Sequence, residues 1–122
     1  MTALLVVAGA VVGAPARYVT DLLVQSRHDS KVPWGTFTVN VVGSFVLGVV
    51  AALVAGGHGG TWAQALLGTG FCGALTTFST FSFETLRLIE DGRARTAVLN
   101  VVLSLVAGFG AVCLGWWLGS LA

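Results

Sequence analysis

Charged side chains are scarce in this chain: among 122 residues, six are Lys or Arg and five are Asp or Glu, eleven in all. With 56% hydrophobic residues, a mean hydropathy of +0.92 and apolar residues in long blocks rather than short alternating runs, the composition excludes an ordinary water-soluble core of this size. Cysteine is limited to Cys72 and Cys113, both inside apolar segments where a thiol behaves as a small hydrophobe, so no disulfide or cysteine metal site is expected. No G-x-x-x-x-G-K-[ST] run occurs, and the polar linkers are too short to hold a nucleotide-binding domain, which excludes energy coupling through ATP. His28 and His58 fall in separate linkers, away from any nucleophile or metal cluster, so an enzyme is not expected. No nucleic-acid partner is expected either.

Four apolar blocks remain, at about 3–24, 34–55, 62–89 and 96–118. Each reaches the roughly 20 residues that cross about 30 Å of hydrocarbon as a helix. The fold expected is therefore an all-α membrane protein, a single four-helix transmembrane domain over 1–122. The first block has no basic leader and is expected to be a retained helix rather than a cleavable signal peptide. A polar linker at 26–33 ends in Pro33, a glycine-rich one covers 56–61, and a charged one covers 90–93. All six basic residues (Arg17, Arg27, Lys31, Arg87, Arg93, Arg95) lie at or near the first and third linkers. By the positive-inside rule those two loops are expected in the cytoplasm and both termini outside.

The third block departs from an ordinary span. Gly68, Gly70 and Gly73 are followed by Thr76 and Thr77, and glycine weakens a helix where threonine suits an N-cap, so a break is expected near 73–77. Irregular backbone at that depth survives only when buried in protein, beside water or bound to an ion. Carbonyls freed around 73–76 can coordinate a small cation, and the half-helix that follows presents N–H groups. A glycine-kinked helix packed tightly on a neighbour is the alternative reading. At 100° per residue, Thr77, Thr80 and Glu84 share a face, Phe81 and Phe78 come next, and Ser79 and Ser82 follow. Packing alone also accounts for phenylalanines at that spacing.

Polar stripes recur on the other spans. Thr36, Asn40, Ser44 and Gly48 line one face of the second, where the Asn40 amide needs a partner and an interhelical hydrogen bond is the simplest one. Asn100, Ser104 and Gly108 line the fourth, and Gly9, Gly13 and Arg17 the first.

The runs GAPARY (13–18), GTFTVNVVGSFVLG (35–48) and GTGFCGALTTFSTFSFE (68–84) closely resemble the small fluoride channels called Fluc or CrcB. The resemblance spans three helices in order, while the fourth matches mainly in character. It implies an antiparallel, inverted dimer with two fluoride pathways, passive export of cytoplasmic fluoride across the plasma membrane, relief of fluoride toxicity, and a structural Na+ at the dimer interface. Carried over by position, the carbonyls of Gly73 and Thr76 from both protomers would hold the sodium, which suits a hard cation. Asn40, Phe78 and Phe81 match the family's pore residues, and Ser104 falls where it has a pore serine. Arg17 matches a basic residue in the first helix, either at a vestibule or snorkelling toward the interface and pairing with Asp21. Ala74 stands where many relatives have a second glycine.

Fluoride is small and strongly hydrated, so a pathway must replace its water with donors: the Asn40 amide, the hydroxyls of Ser79, Thr80 and Ser104, and electropositive ring edges. Glu84 is the charged exception, placed either to pair with Arg87 or to tune the cytoplasmic mouth. Homodimer and heterodimer both stay open for the second protomer; because an antiparallel homodimer needs both orientations and the basic residues favour one, a related chain with reversed charge bias is the partner that the charge pattern favours. Two other classes stay open: a four-helix proton-coupled multidrug exporter, disfavoured because Asp21 lies only near the end of the first helix, and a non-conducting partner subunit.

Overall fold

The computed structural model describes residues 1–27 and 32–122. His28 and Lys31 of the first linker lie outside the described residues. Three rods carry the architecture: α1 (Thr2–Ser26), α2 (Trp34–Ala55) and a last helix, Ala94–Ser120, each long and apolar enough to cross a membrane. Between the second and last rods the chain is composite. A single turn α3 (Thr61–Ala63) leads into a nine-residue π-helical run, Gln64–Cys72, then into α4 (Gly73–Leu75); two extended residues follow, and α5 (Phe78–Glu90) resumes the helix before α6 (Ala94–Ser120). The chain is thus four spans of helix with the third interrupted.

The interruption sits at the far end of the stretch that the sequence marks. Gly73 is helical at φ −63° and ψ −35°, whereas Thr76 swings to ψ 157° and Thr77 to φ −150° and ψ 117°. Threonine chemistry, not glycine flexibility, ends the first half: the Thr76 N–H and the Thr76 hydroxyl both donate to the Cys72 carbonyl at 2.9 Å, closing its last turn. Thr77 opens the second half as an N-cap, its Oγ1 accepting from the Thr80 N–H at 3.2 Å. Glycines act elsewhere, in bringing backbones together. A Cβ on Gly48 would strike the Val112 carbonyl and one on Gly115 the Phe45 carbonyl, so α2 and α6 pack backbone to backbone. A Cβ on Gly13 would come within 2.5 Å of the Phe71 carbonyl, and one on Gly70 within 2.6 Å of the Val6 carbonyl, which fits α1 against the wide π-helical turns. Without a hydrophobic drive between helices in lipid, such close van der Waals contact is what holds spans together.

Large apolar side chains point outward along the rods. Val11, Val106 and Phe109 are among the most exposed, and α1 and α6 bury only a small part of their surface. That outward surface needs hydrocarbon around it, so the fold is that of an integral membrane protein. The connections are short: Gly57 at φ +85° turns the chain after α2, and Gly92 at φ +76° turns it between α5 and α6.

Candidate functional site

Asn40 lies on α2 opposite the break, and its side-chain amide replaces the missing helix bonds there. Its Oδ1 accepts the Thr77 N–H at 2.7 Å and its Nδ2 donates to the Thr77 carbonyl at 3.2 Å. Both backbone groups of Thr77 are thereby satisfied by one amide, which removes the several kcal/mol that unpaired backbone groups cost in lipid. The Thr77 N–H thus bonds to Asn40 in place of the Gly73 carbonyl, its i−4 acceptor in a continuous helix. Only one of the two Nδ2 hydrogens is engaged by Thr77.

These groups border an open groove of about 450 Å³ lined in part by Asn40, Ser44, Gln64, Gly73, Thr76 and Phe78. Phe78 is 79% exposed at its lip, and its ring centroid is 6.0 Å from that of Phe81 with the planes tilted by 42°. Thr80 and Ser79 gather on the Thr77 hydroxyl, which donates to Thr80 Oγ1 at 3.0 Å and lies 3.3 Å from Ser79 Oγ. Both are exposed beside the groove rather than lining it. Ser104 lines a second groove of about 270 Å³ with Ser44, Gly108 and Phe109, so Ser44 is the residue common to both. The structure therefore brings Asn40, Phe78, Phe81, Gly73 and Thr76 together, and sets Ser104 on a separate face.

Glu84 and Arg17 complete the expected set. Glu84 is half-buried and accepts a hydrogen bond from the Thr36 hydroxyl on α2. Asp21 and Arg87 lie within electrostatic range of it, so Arg87 acts on this carboxylate only from a distance. Arg17 is half-buried in the second half of α1 and lines neither groove. No cluster of three His, Cys, Asp or Glu suited to a metal occurs among the described residues. Gly73 and Thr76 line the groove, and a Cβ on Gly73 meets nothing within 4 Å, so the Gly73 backbone stands open there.

Sequence reasoning left Glu84 open between Arg87 and the cytoplasmic mouth without naming Thr36, and it passed over Gln64 and Thr85. A signal for the first was present, since Thr36 opens the same four-residue stripe that holds Asn40 and Ser44. None existed for Gln64, whose amide reaches the groove because Gly68 leaves room for it; a Cβ there would stand 2.6 Å from Gln64 Nε2.

Fold and site together define a polytopic helical membrane protein in which a mid-span break is bound by neutral amide and hydroxyl groups beside an aromatic pair. Residues 4–116 match the model of the family described as CrcB-like protein, Camphor Resistance (CrcB), and the chain belongs to that family. It is 55% identical over 117 residues to Fluoride-specific ion channel FluC 1 of Streptomyces avermitilis, an alignment that covers 96% of this chain and 94% of that protein. The identity is again 55%, over 120 residues, to Fluoride-specific ion channel FluC 1 of Frankia casuarinae, covering 94% and 93%. Fluoride-specific ion channel FluC of Shewanella sp. (strain W3-18-1) is 46% identical over 112 residues, covering 92% and 90%.

Proposed function

We propose that this chain is a subunit of a fluoride-selective ion channel through which cytoplasmic fluoride leaves the cell passively, lowering its toxicity. The observation that carries the reading is the site at the break, where Asn40, locked onto Thr77, shares a groove with Phe78, in a chain whose near relatives bear the name fluoride-specific ion channel. Fluoride holds its water tightly, so entry requires donors that replace it without a charge strong enough to trap the ion. The uncommitted Asn40 N–H is one such donor. Thr80 is another, because its oxygen accepts from Thr77 and its own hydrogen is left for an anion. The positive edges of Phe78 and Phe81 supply a third kind of contact, with Ser79 and Ser104 extending the donor set along the path. This is transport rather than catalysis.

The assembly belongs to the same proposal. A second protomer in inverted orientation would cover the groove, and a structural Na+ between the two would be held by the carbonyls of Gly73 and Thr76 from each. The place of Gly73 and Thr76 in the groove wall, and the Thr77 N–H bonded to Asn40 rather than to the Gly73 carbonyl, support this. A resident cation would supply a fixed positive charge beside the broken span, and Thr76 and Gly73 would orient it. The membrane is the plasma membrane, with loops one and three in the cytoplasm and the termini outside. Arg17 would face a vestibule.

Fluoride efflux from proteoliposomes containing the purified protein tests the reading. Fast efflux with chloride retained is expected, and Phe78→Ile or Phe81→Ile should abolish it in protein that still elutes as a folded assembly. Chloride release as fast as fluoride release would overturn the assignment.

A further inference from the structure

Because the extended link at Thr76 and Thr77 separates α5 from the helix before it, the segment carrying Phe78 and Phe81 takes no direction from that helix. Apolar packing holds it only loosely, with Leu88 its one buried residue. Polar pins do the rest. Two have been described, Asn40 on Thr77 and Thr36 on Glu84, and both come from α2.

A third comes from α6. Asn100 is 4% exposed and donates from Nδ2 to Thr85 Oγ1 at 2.9 Å. Thr85 in turn donates its hydroxyl hydrogen to the Phe81 carbonyl one turn back at 2.8 Å. On the far side, Ser104 Oγ lies 3.5 Å from Asn100 Oδ1, a long contact that extends the same line toward the groove shared with Ser44. Only a hydroxyl can serve in the middle of this line, since it must give its hydrogen to a carbonyl and take one from an amide. A threonine hydroxyl bonded to the i−4 carbonyl also tilts that peptide and bends the helix locally. The carbonyl engaged here is that of Phe81 itself, so the bond acts on the backbone next to the carbon that bears the ring.

We propose that Asn100 is a positioning residue for the aromatic pair: acting through the Thr85 hydroxyl, it fixes the α5 backbone at Phe81 and hence the ring's place beside Phe78. Asn100 does not touch the groove that holds Asn40 and Phe78, and its effect on an ion is indirect. Thr85 is the obligatory intermediary, so the two residues act as one unit. The consequence for ion flow rests on the channel reading above, whereas the structural claim does not.

The experiment places 4-fluorophenylalanine at position 81, and separately at 78, in the full-length protein in lipid, and follows the fluorine resonance in Asn100→Leu, Thr85→Val, their double variant and Thr85→Ser. The expected result is a shifted or broadened signal at 81 that is the same in both single variants and the double, an unchanged signal at 78, and wild-type behaviour in Thr85→Ser. Fluoride efflux should fall about three- to tenfold in each single variant, the size set by one interhelical hydrogen bond in a membrane, with no further fall in the double. An unchanged signal at 81, or losses that multiply in the double variant, would overturn the proposal. Should Asn100→Leu fail to fold, the contrast between Thr85→Val and Thr85→Ser decides the matter alone. Wild-type protein that conducts no fluoride would defeat the channel reading and leave the resonance test standing.

Discussion

Asn40 shows how one amide can be both a structural clamp and a candidate ion contact, and substitution can separate the two. Asn40→Ala leaves the buried Thr77 N–H and carbonyl without partners, so its unfolding free energy should drop by about 1–3 kcal/mol, the usual penalty for orphaning a buried backbone group. Thermal unfolding in detergent measures it. Asn40→Asp retains an oxygen for the Thr77 N–H but offers no donor, and its carboxylate repels an anion; much of the stability should survive while fluoride efflux disappears. Equal loss of stability in the two variants would mean that the acceptor half of the clamp contributes nothing. At this scale the sequence was partly readable. The need of Asn40 for a partner followed from its place mid-span, yet the identity of that partner did not, because thirty-seven positions separate it from Thr77 and only the packing of α2 on the break brings them together. For Glu84 the sequence offered Arg87 at i+3 or the cytoplasmic mouth, and the partner that packing supplies is Thr36, on another helix.

The elements divide by how local their causes are. Long apolar runs bounded by turn residues announced α1, α2 and α6, since length and hydropathy alone determine a span. The third span was legible as broken and misread in detail. Its glycines looked like the cause of the break, whereas they lie in continuous helix, Gly70 receiving the α1 backbone and Gly68 the Gln64 side chain, and no local pattern signals that residues 64–72 will widen into π-helical turns. Ser104 shares the fourth helix's polar stripe with Asn100, but spacing on one helix cannot tell which groove a stripe borders. Contact-bearing glycines give a direct test of the element packing. Gly115→Ala would drive a methyl group into the Phe45 backbone and separate α2 from α6, with an expected cost of about 1–3 kcal/mol, typical of overpacking. Gly110→Ala, on the same helix with nothing within 4 Å of its new carbon, should be neutral or slightly stabilising. Comparing the folded fraction of the two variants by size-exclusion chromatography checks it, and equal behaviour would show that the α2–α6 approach is not backbone to backbone.

For the molecule as a whole, orientation decides what can pair with what. An inverted homodimer requires that one sequence insert both ways, and insertion follows the balance of Lys and Arg between the two sides. Here all six basic residues flank the first and third connections, with none at the termini or in the glycine-rich second one. At roughly 1 kcal/mol of bias per basic residue near an anionic leaflet, a six-to-none distribution leaves the opposite orientation rare. The expected outcome for tagged protein in cells is therefore a single topology, with terminal tags reached only from outside and a cysteine at position 93 labelled only from within. Fluoride release from cells that express this chain alone should then be weak, because inverted pairs rarely form during insertion, whereas purified protein, free to enter liposomes in both orientations, conducts; co-expression in cells with a related chain of opposite charge bias should restore release. Moving the bias is the stronger test: Arg93→Gln and Arg95→Gln, together with two lysines placed in the 56–61 connection, should let tags appear on both sides. If that rebalanced chain gains efflux on its own, the groove at the break is complete when two copies face each other inverted. Strong efflux from the unaltered chain, with tags already on both sides, would instead mean that its basic residues do not govern insertion.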